Sequence, residues 1–166
     1  MTQPAATPPF AADAMLARLA RWLRTLGWDT SLDPHLDDRE LVRRADGEGR
    51  ILLTRDRLLL RELQPARALE IRHDEPLRQL QQVVTTLALP APASLFTRCT
   101  VCNAPLAPPL DAAARERLLP PDVRQLPGPA RQCPVCARVY WRGSHARRMR
   151  EGIERALPGW LGPDAM

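Results

Sequence analysis

The stretch Ile51-Leu52-Leu53-Thr54-Arg55-Asp56 has the pattern of a buried β-strand that ends in a polar turn. Three consecutive large aliphatic residues favour a strand covered on both faces, as in a parallel sheet. Before the stretch, a helix that opens at Asp37 or Asp38 ends near Gly47-Glu48-Gly49, and a short helix through Leu63 follows it. The stretch therefore predicts a strand between two helices.

The same alternation extends to both sides of this stretch. Other strands are predicted over 10–12, 28–32 and 68–71, and other helices over 16–26 and 76–89. Strands that alternate with helices in this way indicate an α/β fold of three layers with a central parallel sheet. Because Pro90-Ala91-Pro92 marks a linker, we expect this domain to span residues 10–92 and residues 1–9 to form a disordered tail.

Acidic residues follow the first three predicted strands. Asp13 follows the first strand, Asp37, Asp38 and Glu40 follow the second, and Asp56 follows the third. Because ligands of open parallel sheets bind beyond the carboxyl ends of the strands, we expect these carboxylates to meet at one edge. Such a group suits Mg²⁺ or Mn²⁺, which prefer oxygen ligands and can activate water against a phosphodiester.

Helix capping is the alternative interpretation of these acids. Asp is a favoured N-cap residue, so Asp13 and Asp56 would each cap the helix that follows them. Asp37 and Glu40 fit an acidic variant of the capping box. Capping explains each acid singly, whereas their coincidence at successive strand ends favours a metal site.

The four cysteines of the chain form two matched pairs, Cys99-Thr100-Val101-Cys102 and Cys133-Pro134-Val135-Cys136. Each pair places two sulfurs at adjacent corners of a tetrahedron, and the set closes at four, as a structural Zn²⁺ site requires. Two disulfides are the alternative, but the sequence lacks a signal-peptide pattern, so we expect a reducing, cytoplasmic location. We therefore predict a zinc ribbon with a basic helix over residues 93–157, and a tail over 158–166.

The charge of the chain is unevenly distributed. Of its 166 residues, 24 are basic, all of them arginine, and 19 are acidic. Residues 1–92 carry 13 of each sign, so the whole formal charge of +5 lies on residues 93–166, with 11 arginines and 6 acids. Four thiolates with one Zn²⁺ contribute −2 and leave about +3 on that half, which suits contact with a polyanion. Since no apolar run approaches the ~20 residues of a membrane span, we expect no membrane association.

Most of the chain resembles the PIN-like ribonuclease domain named after the Mut-seven C-terminal region. The matching stretches are Phe10-x-x-Asp13-x-Met15-Leu16, Arg18-Leu19-Ala20-Arg21-Trp22-Leu23-Arg24-x-Leu26-Gly27, Asp38-x-Glu40-Leu41 and Gly49-Arg50-Ile51-Leu52-Leu53-Thr54-Arg55-Asp56-Arg57. The similarity continues through both cysteine pairs, Arg138-Val139-Tyr140-Trp141 and Gly143-Ser144-His145.

This resemblance implies a PIN-like nuclease fold fused to a zinc ribbon. It also implies that Asp13, Asp38 and Asp56 bind the catalytic metal. A PIN-like site often recruits a fourth acid, which here would be Asp37 or Glu40.

Four arginines are candidate RNA contacts. Arg18, Arg21 and Arg24 lie on the side of their helix away from its apolar residues, where they would line a phosphate track or form a solvated face. Arg55 would grip a phosphate through two hydrogen bonds, or pair with a neighbouring carboxylate. The dipeptide Tyr140-Trp141 could stack on bases, although we favour packing of the ribbon against its neighbour.

The main functional hypothesis is a metal-dependent ribonuclease whose zinc ribbon helps to bind RNA. Hydrolysis by activated water would leave a 5′-phosphate and a 3′-hydroxyl. The alternatives are a non-catalytic RNA-binding or interaction module, in which the acids are caps, and the toxic nuclease of a toxin–antitoxin pair.

Overall fold

The computed structural model describes residues 7–163. Its strands are β1 (Phe10–Ala12), β2 (Thr30–Ser31), β3 (Ile51–Thr54), β4 (Ala68–Glu70), β5 (Arg131–Gln132) and β6 (Val139–Tyr140). Its helices are α1 (Ala17–Thr25), α2 (Asp38–Gly47), α3 (Arg57–Leu63), α4 (Pro76–Thr86), α5 (Ala112–Leu118) and α6 (Ser144–Ala156). The predicted disordered tail lies, for residues 1–6, outside the described residues. Pro9 is joined to the sheet, because its carbonyl accepts a hydrogen bond from Ile51 N at 2.9 Å.

Four parallel strands form the central sheet in the order β2-β1-β3-β4. Phe10 pairs with Thr30 on one side and with Ile51 on the other, and Leu52 pairs with Ala68. The strand order reverses between β1 and β3, since the chain adds β2 on one side and β4 on the other. Open parallel sheets bind ligands at this kind of reversal. The predicted α/β fold with a central parallel sheet is confirmed.

Helices cover both faces of the sheet and bury two separate clusters. The larger cluster includes Leu19 and Leu23 of α1, Leu80 of α4 and Ile153 of α6. The smaller cluster, on the other face, includes Leu41, Val42 and Ala45 of α2, Leu59 of α3 and Leu52 of β3. Because β3 contributes apolar side chains to both clusters, its sequence is an unbroken aliphatic run.

The carboxyl-terminal segment packs on the α/β domain. Ile153 of α6 is fully buried, and Leu161 beyond the helix is 6% exposed. Trp160 lies edge-on to Trp28, with ring centroids 6.0 Å apart, and donates its Nε1–H to Leu89 O at 3.2 Å. The segments expected as a ribbon helix and a tail therefore add to the larger cluster, and the domain boundaries stay a prediction.

The first cysteine pair is joined to the end of α1 through Arg24. Its Nε donates to Thr30 O at 2.9 Å, and its Nη1 donates to Thr100 O at 3.2 Å and Val101 O at 2.8 Å. Asn103 adds a contact, since its Oδ1 accepts from Thr30 N at 3.0 Å. Arg24 is only 5% exposed, so the expectation of a solvent-facing arginine at this position is corrected. The segment that covers Arg24 comes 76 residues later in the chain, which no helical periodicity reveals.

Gly27 holds the tight junction between α1 and the segment that leads to the cysteines. Its φ is +81°, and a Cβ there would overlap the hydroxyl oxygen of Thr97. We expect Gly27→Ala to lower the free energy of unfolding by about 1–3 kcal/mol, measured by denaturant unfolding. Gly47→Ala is the matched control, since Gly47 lies in α2 with no atom within 4 Å of an added Cβ. Equal stability of the two variants would contradict this explanation.

No helix among residues 7–163 is long and apolar enough to cross a membrane.

Candidate active site and zinc site

Asp13 and Asp56 lie beyond the carboxyl ends of β1 and β3 and are linked through Thr54. The Thr54 hydroxyl donates to Asp13 Oδ2 at 2.6 Å and accepts from Asp56 N at 3.0 Å. Thr54 is fully buried and Asp13 is 9% exposed, so one buried hydroxyl orients the carboxylate of one acid and the backbone of the other. Sequence reasoning gave Thr54 no role. The feature of the sequence that could have indicated a role is the position of Thr54 at the end of a buried strand, two residues before Asp56.

Asp38 shares the electrostatic environment of these two acids. Burial raises the pKa of Asp38, and the negative charges of Asp56, Asp13 and Asp37 raise it further. The structure therefore brings the three predicted metal ligands into electrostatic range of one another. Within residues 7–163, only the four cysteines form a group whose donor atoms all lie within 4.8 Å. The oxygens of Asp13, Asp38 and Asp56 thus do not form so compact a group.

Two of the acids also cap helices. Asp56 Oδ1 accepts from Leu58 N at 2.7 Å and Leu59 N at 2.9 Å, at the start of α3. Asp37 Oδ1 accepts from Glu40 N at 2.9 Å, at the start of α2. The side chain of Asp13 makes no such bond to the turn that follows it. Capping therefore accounts for one oxygen of Asp56 and of Asp37, and it does not account for Asp13.

Glu40 is committed to two arginines. Its carboxylate accepts hydrogen bonds from Arg43 Nε at 2.7 Å, Arg43 Nη2 at 2.6 Å and Arg44 Nε at 2.8 Å. These bonds, those of Arg43 first, lower the pKa of Glu40 to about 2. Both of its oxygens are occupied, so Glu40 is held away from the role of a free ligand.

The candidate RNA-binding arginines are not equivalent. Arg18 and Arg21 are exposed on α1, whereas Arg24 is buried against the first cysteine pair. Arg55 pairs with a carboxylate, that of Asp74, with Nη2 and Oδ1 2.5 Å apart. The four residues predicted as one set therefore have different environments.

The pKa of Asp38 offers a test of this site. Because nearby carboxylates raise that pKa, we expect Mg²⁺ at millimolar concentration to lower it, and Asp56→Asn to lower it without Mg²⁺. Carbon-detected NMR titration of the carboxyl groups measures both effects, with exposed Asp122 as the internal control. An Asp38 pKa that responds to neither change would show that these acids do not share a cation site.

The four cysteine sulfurs have the spacing of a zinc site. Cys99 and Cys136 Sγ are 3.6 Å apart, and Cys102 and Cys133 Sγ are 3.4 Å apart. A disulfide would need about 2.05 Å, whereas sulfurs about 2.3 Å from one Zn²⁺ lie roughly 3.8 Å from each other. All four are free thiols, so the disulfide alternative is not what the structure shows, and the cluster fits Zn²⁺.

The groups around the cysteine cluster favour ionisation of Cys99 and oppose that of Cys102. Burial opposes ionisation of Cys99, but hydrogen bonds from the Cys102 amide, the Tyr140 hydroxyl and the Val101 amide outweigh it and lower its pKa to about 6. A hydrogen bond from the Ala104 amide favours the thiolate of Cys102, but burial and the neighbouring sulfurs outweigh it and raise the pKa of Cys102 to about 12. Four adjacent thiolates need a cation, so Zn²⁺ binding should release protons and weaken at low pH.

Comparison with known proteins identifies a family whose model matches most of this chain. The family model described as the Mut7-C RNAse domain matches residues 8–153, while comparison with curated proteins and with solved structures found no match. The matched range includes the acids at the sheet edge, Thr54 and all four cysteines. An RNase domain indicates nuclease activity on RNA, and the cysteine cluster indicates zinc binding. The chain belongs to the Mut7-C RNAse domain family.

Proposed function

We propose that this protein is a metal-dependent ribonuclease in which Asp13, Asp38 and Asp56 hold Mg²⁺ or Mn²⁺. The observation that carries the proposal is the position of Asp13 and Asp56, joined through Thr54 beside the reversal of strand order, with Asp38 near enough for their charges to raise its pKa. A carboxylate whose pKa is raised by neighbouring negative charges is stabilised in its ionised form by a nearby divalent cation, and hard oxygen donors suit Mg²⁺ and Mn²⁺. The membership of an RNase family supplies the substrate class.

The chain's own residues would act mainly by orientation. With Oδ2 of Asp13 held by Thr54 and Oδ1 of Asp56 held by the start of α3, each acid keeps one oxygen for a ligand. Bound there, the cation would lower the pKa of a water molecule and offset the charge that develops on the phosphate. In-line attack on phosphorus would leave a 5′-phosphate and a 3′-hydroxyl.

Asp37 is our candidate for a fourth acid. Its hydrogen bond to Glu40 N uses only Oδ1, and it contributes to the raised pKa of Asp38. Glu40 instead has both oxygens bonded to Arg43 and Arg44 and would hold the first turns of α2 in place.

We propose that Arg18, Arg21 and Arg55 contact RNA phosphates. Arg18 and Arg21 are exposed on the helix that follows Asp13. The ion pair of Arg55 is exposed, since Asp74 is 86% accessible, and such pairs contribute only ~0–1 kcal/mol. A phosphate could therefore replace Asp74. Arg24 is left out of this set because its guanidinium is buried on backbone carbonyls.

The zinc ribbon would assist RNA binding without taking part in the chemistry. It is joined to the end of α1 that is remote from Asp13, and it carries the excess of arginine. Because its cysteines are free thiols arranged for a metal, we also propose a reducing, cytoplasmic location.

Cleavage of labelled single-stranded RNA tests this function. We expect cleavage with Mn²⁺ or Mg²⁺, its loss when these ions are removed by a chelator that leaves the zinc content intact, and 5′-phosphate products. Metal-independent cleavage would overturn the proposed mechanism. RNA binding without cleavage under any metal would favour the non-catalytic binding module.

A further inference from the structure

Two adjoining cavities lie where the zinc ribbon meets α1 and α6. One has a volume of about 450 Å³ and the other about 260 Å³. Phe96, Tyr140 and Trp141 line both cavities, so the two cavities share an aromatic wall. We call the two cavities together the ribbon groove.

The lining of the ribbon groove is basic. Arg21 and Arg138 line the larger cavity, Arg131 and Arg142 line the smaller one, and neither lining contains a carboxylate. The chain as a whole has 24 arginines against 19 acids, so a wall that holds Arg21, Arg131 and Arg138 and no acid is a local concentration of positive charge. Such a wall complements a polyanion.

Tyr140, at the end of β6, and Trp141, which follows it, have different roles. The Tyr140 hydroxyl lies 3.1 Å from Cys99 Sγ and accepts from Thr100 N at 3.1 Å, so Tyr140 braces the first cysteine pair. Trp141 is only half-buried and lines both cavities. A Cβ on Gly143 would lie 2.9 Å from Trp141 Nε1, so the absence of a side chain at Gly143 leaves room for the indole.

The exposed face of α1 connects the ribbon groove to the acids. Asp13 lies just before the helix, Arg18 is exposed on it, and Arg21 is exposed and lines the groove. Asp13 precedes the 3-10 turn Ala14–Leu16 that leads into α1, so at about 1.5–2 Å per residue Asp13 and Arg21 are at most roughly 12–16 Å apart along the chain. This span corresponds to a few nucleotides of a single strand.

We propose that the ribbon groove is a second binding site for single-stranded RNA, a few nucleotides away from the bond that is cut. Phosphates lie on Arg21 and Arg138, and a base stacks against Trp141. An unpaired strand is required, because a base must leave its neighbours to reach an aromatic side chain. The choice of RNA over another polyanion rests on the proposed function.

Binding of RNA without added Mg²⁺ or Mn²⁺ tests the ribbon groove independently of cleavage. Fluorescence anisotropy with a labelled single-stranded 12-mer compares wild type with Arg138→Gln, Trp141→Leu and the control Arg117→Gln. Arg117 is exposed on α5 and carries the same charge as Arg138. We expect Trp141→Leu to weaken binding about 5- to 100-fold. Arg138→Gln should reduce the slope of log affinity against log salt by about 0.7.

Two further measurements make the outcome decisive. Gly143→Ala keeps the tryptophan at position 141 but crowds its indole, so it should also weaken binding of the 12-mer. Zinc content and thermal unfolding verify the fold of each variant. In wild type, the cleavage rate should rise with RNA length up to about six nucleotides and then level. Binding of the 12-mer by Arg138→Gln and Trp141→Leu as tight as by Arg117→Gln would overturn the ribbon groove. Weakened binding by a protein that cleaves no RNA would support the groove while rejecting the nuclease.

Discussion

Cys133→Ser is expected to abolish stable zinc binding and to destabilise the whole chain. Cys133 is 1% exposed, and its sulfur lies 3.4 Å from that of Cys102, so one ligand of the tetrahedron would be lost from the interior. A structural zinc site supplies folding free energy directly, of the order of 10 kcal/mol in small zinc-binding peptides.

The effect should reach the α/β domain through Arg24. Its guanidinium is held by Thr100 O and Val101 O, which keep their positions only while the first cysteine pair is ordered. Without them a buried cation loses two acceptors, which costs about 3–5 kcal/mol when a buried charge is left uncompensated. For a chain of this size we expect the midpoint of thermal unfolding to fall by roughly 6–20 °C.

Zinc content and calorimetry measure these effects. Val135→Ser is the matched control, because Val135 lies between Cys133 and Cys136 and is 71% exposed. A Cys133→Ser protein that keeps one equivalent of zinc, or unfolds at the wild-type temperature, would contradict the coupling between ribbon and domain.

Thr54→Val is expected to reduce RNA cleavage by about 100-fold, since it frees both acids from the geometry that Thr54 imposes. Valine has nearly the same shape but no hydroxyl, so Asp13 Oδ2 and Asp56 N would each lose a partner. Buried groups without partners cost ~1–3 kcal/mol each, so stability should fall as well.

Thr54→Ser provides the control for this prediction. Serine keeps the hydroxyl and loses a methyl group, so it should retain most of the cleavage rate despite a small loss of stability. Single-turnover rates and denaturant unfolding separate the two effects. Equal cleavage rates for Thr54→Val and Thr54→Ser would mean that the hydroxyl does not position the acids.

The sheet and its ligand-binding edge were predictable because the signals are local. The aliphatic run of β3 identifies a doubly covered strand, and helical spacing identifies α1. Acids at successive strand ends then lie at one edge by the geometry of parallel strands. The influence of Asp13 and Asp56 on the pKa of Asp38 agrees with that placement.

What the sequence did not reveal depends on long-range contacts. Arg24 looked solvent-facing because its helix has an apolar face elsewhere, and only the fold places the Thr100–Val101 backbone over it. Glu40 is a different case, because the arginines that occupy its carboxylate lie only three and four residues later, at a helical spacing that the sequence does show. Trp160 was assigned to a tail, yet it packs against Trp28 at the far end of the chain.

The most direct test of the central claim is cleavage of labelled single-stranded RNA by wild type and by Asp13→Asn/Asp56→Asn in Mn²⁺ or Mg²⁺. Both proteins are purified identically, and their zinc content is measured so that loss of fold is not mistaken for loss of chemistry. The account predicts cleavage by wild type and none by the double variant at equal zinc content. Equal cleavage by both proteins would contradict the assignment of the acids and of the metal they hold.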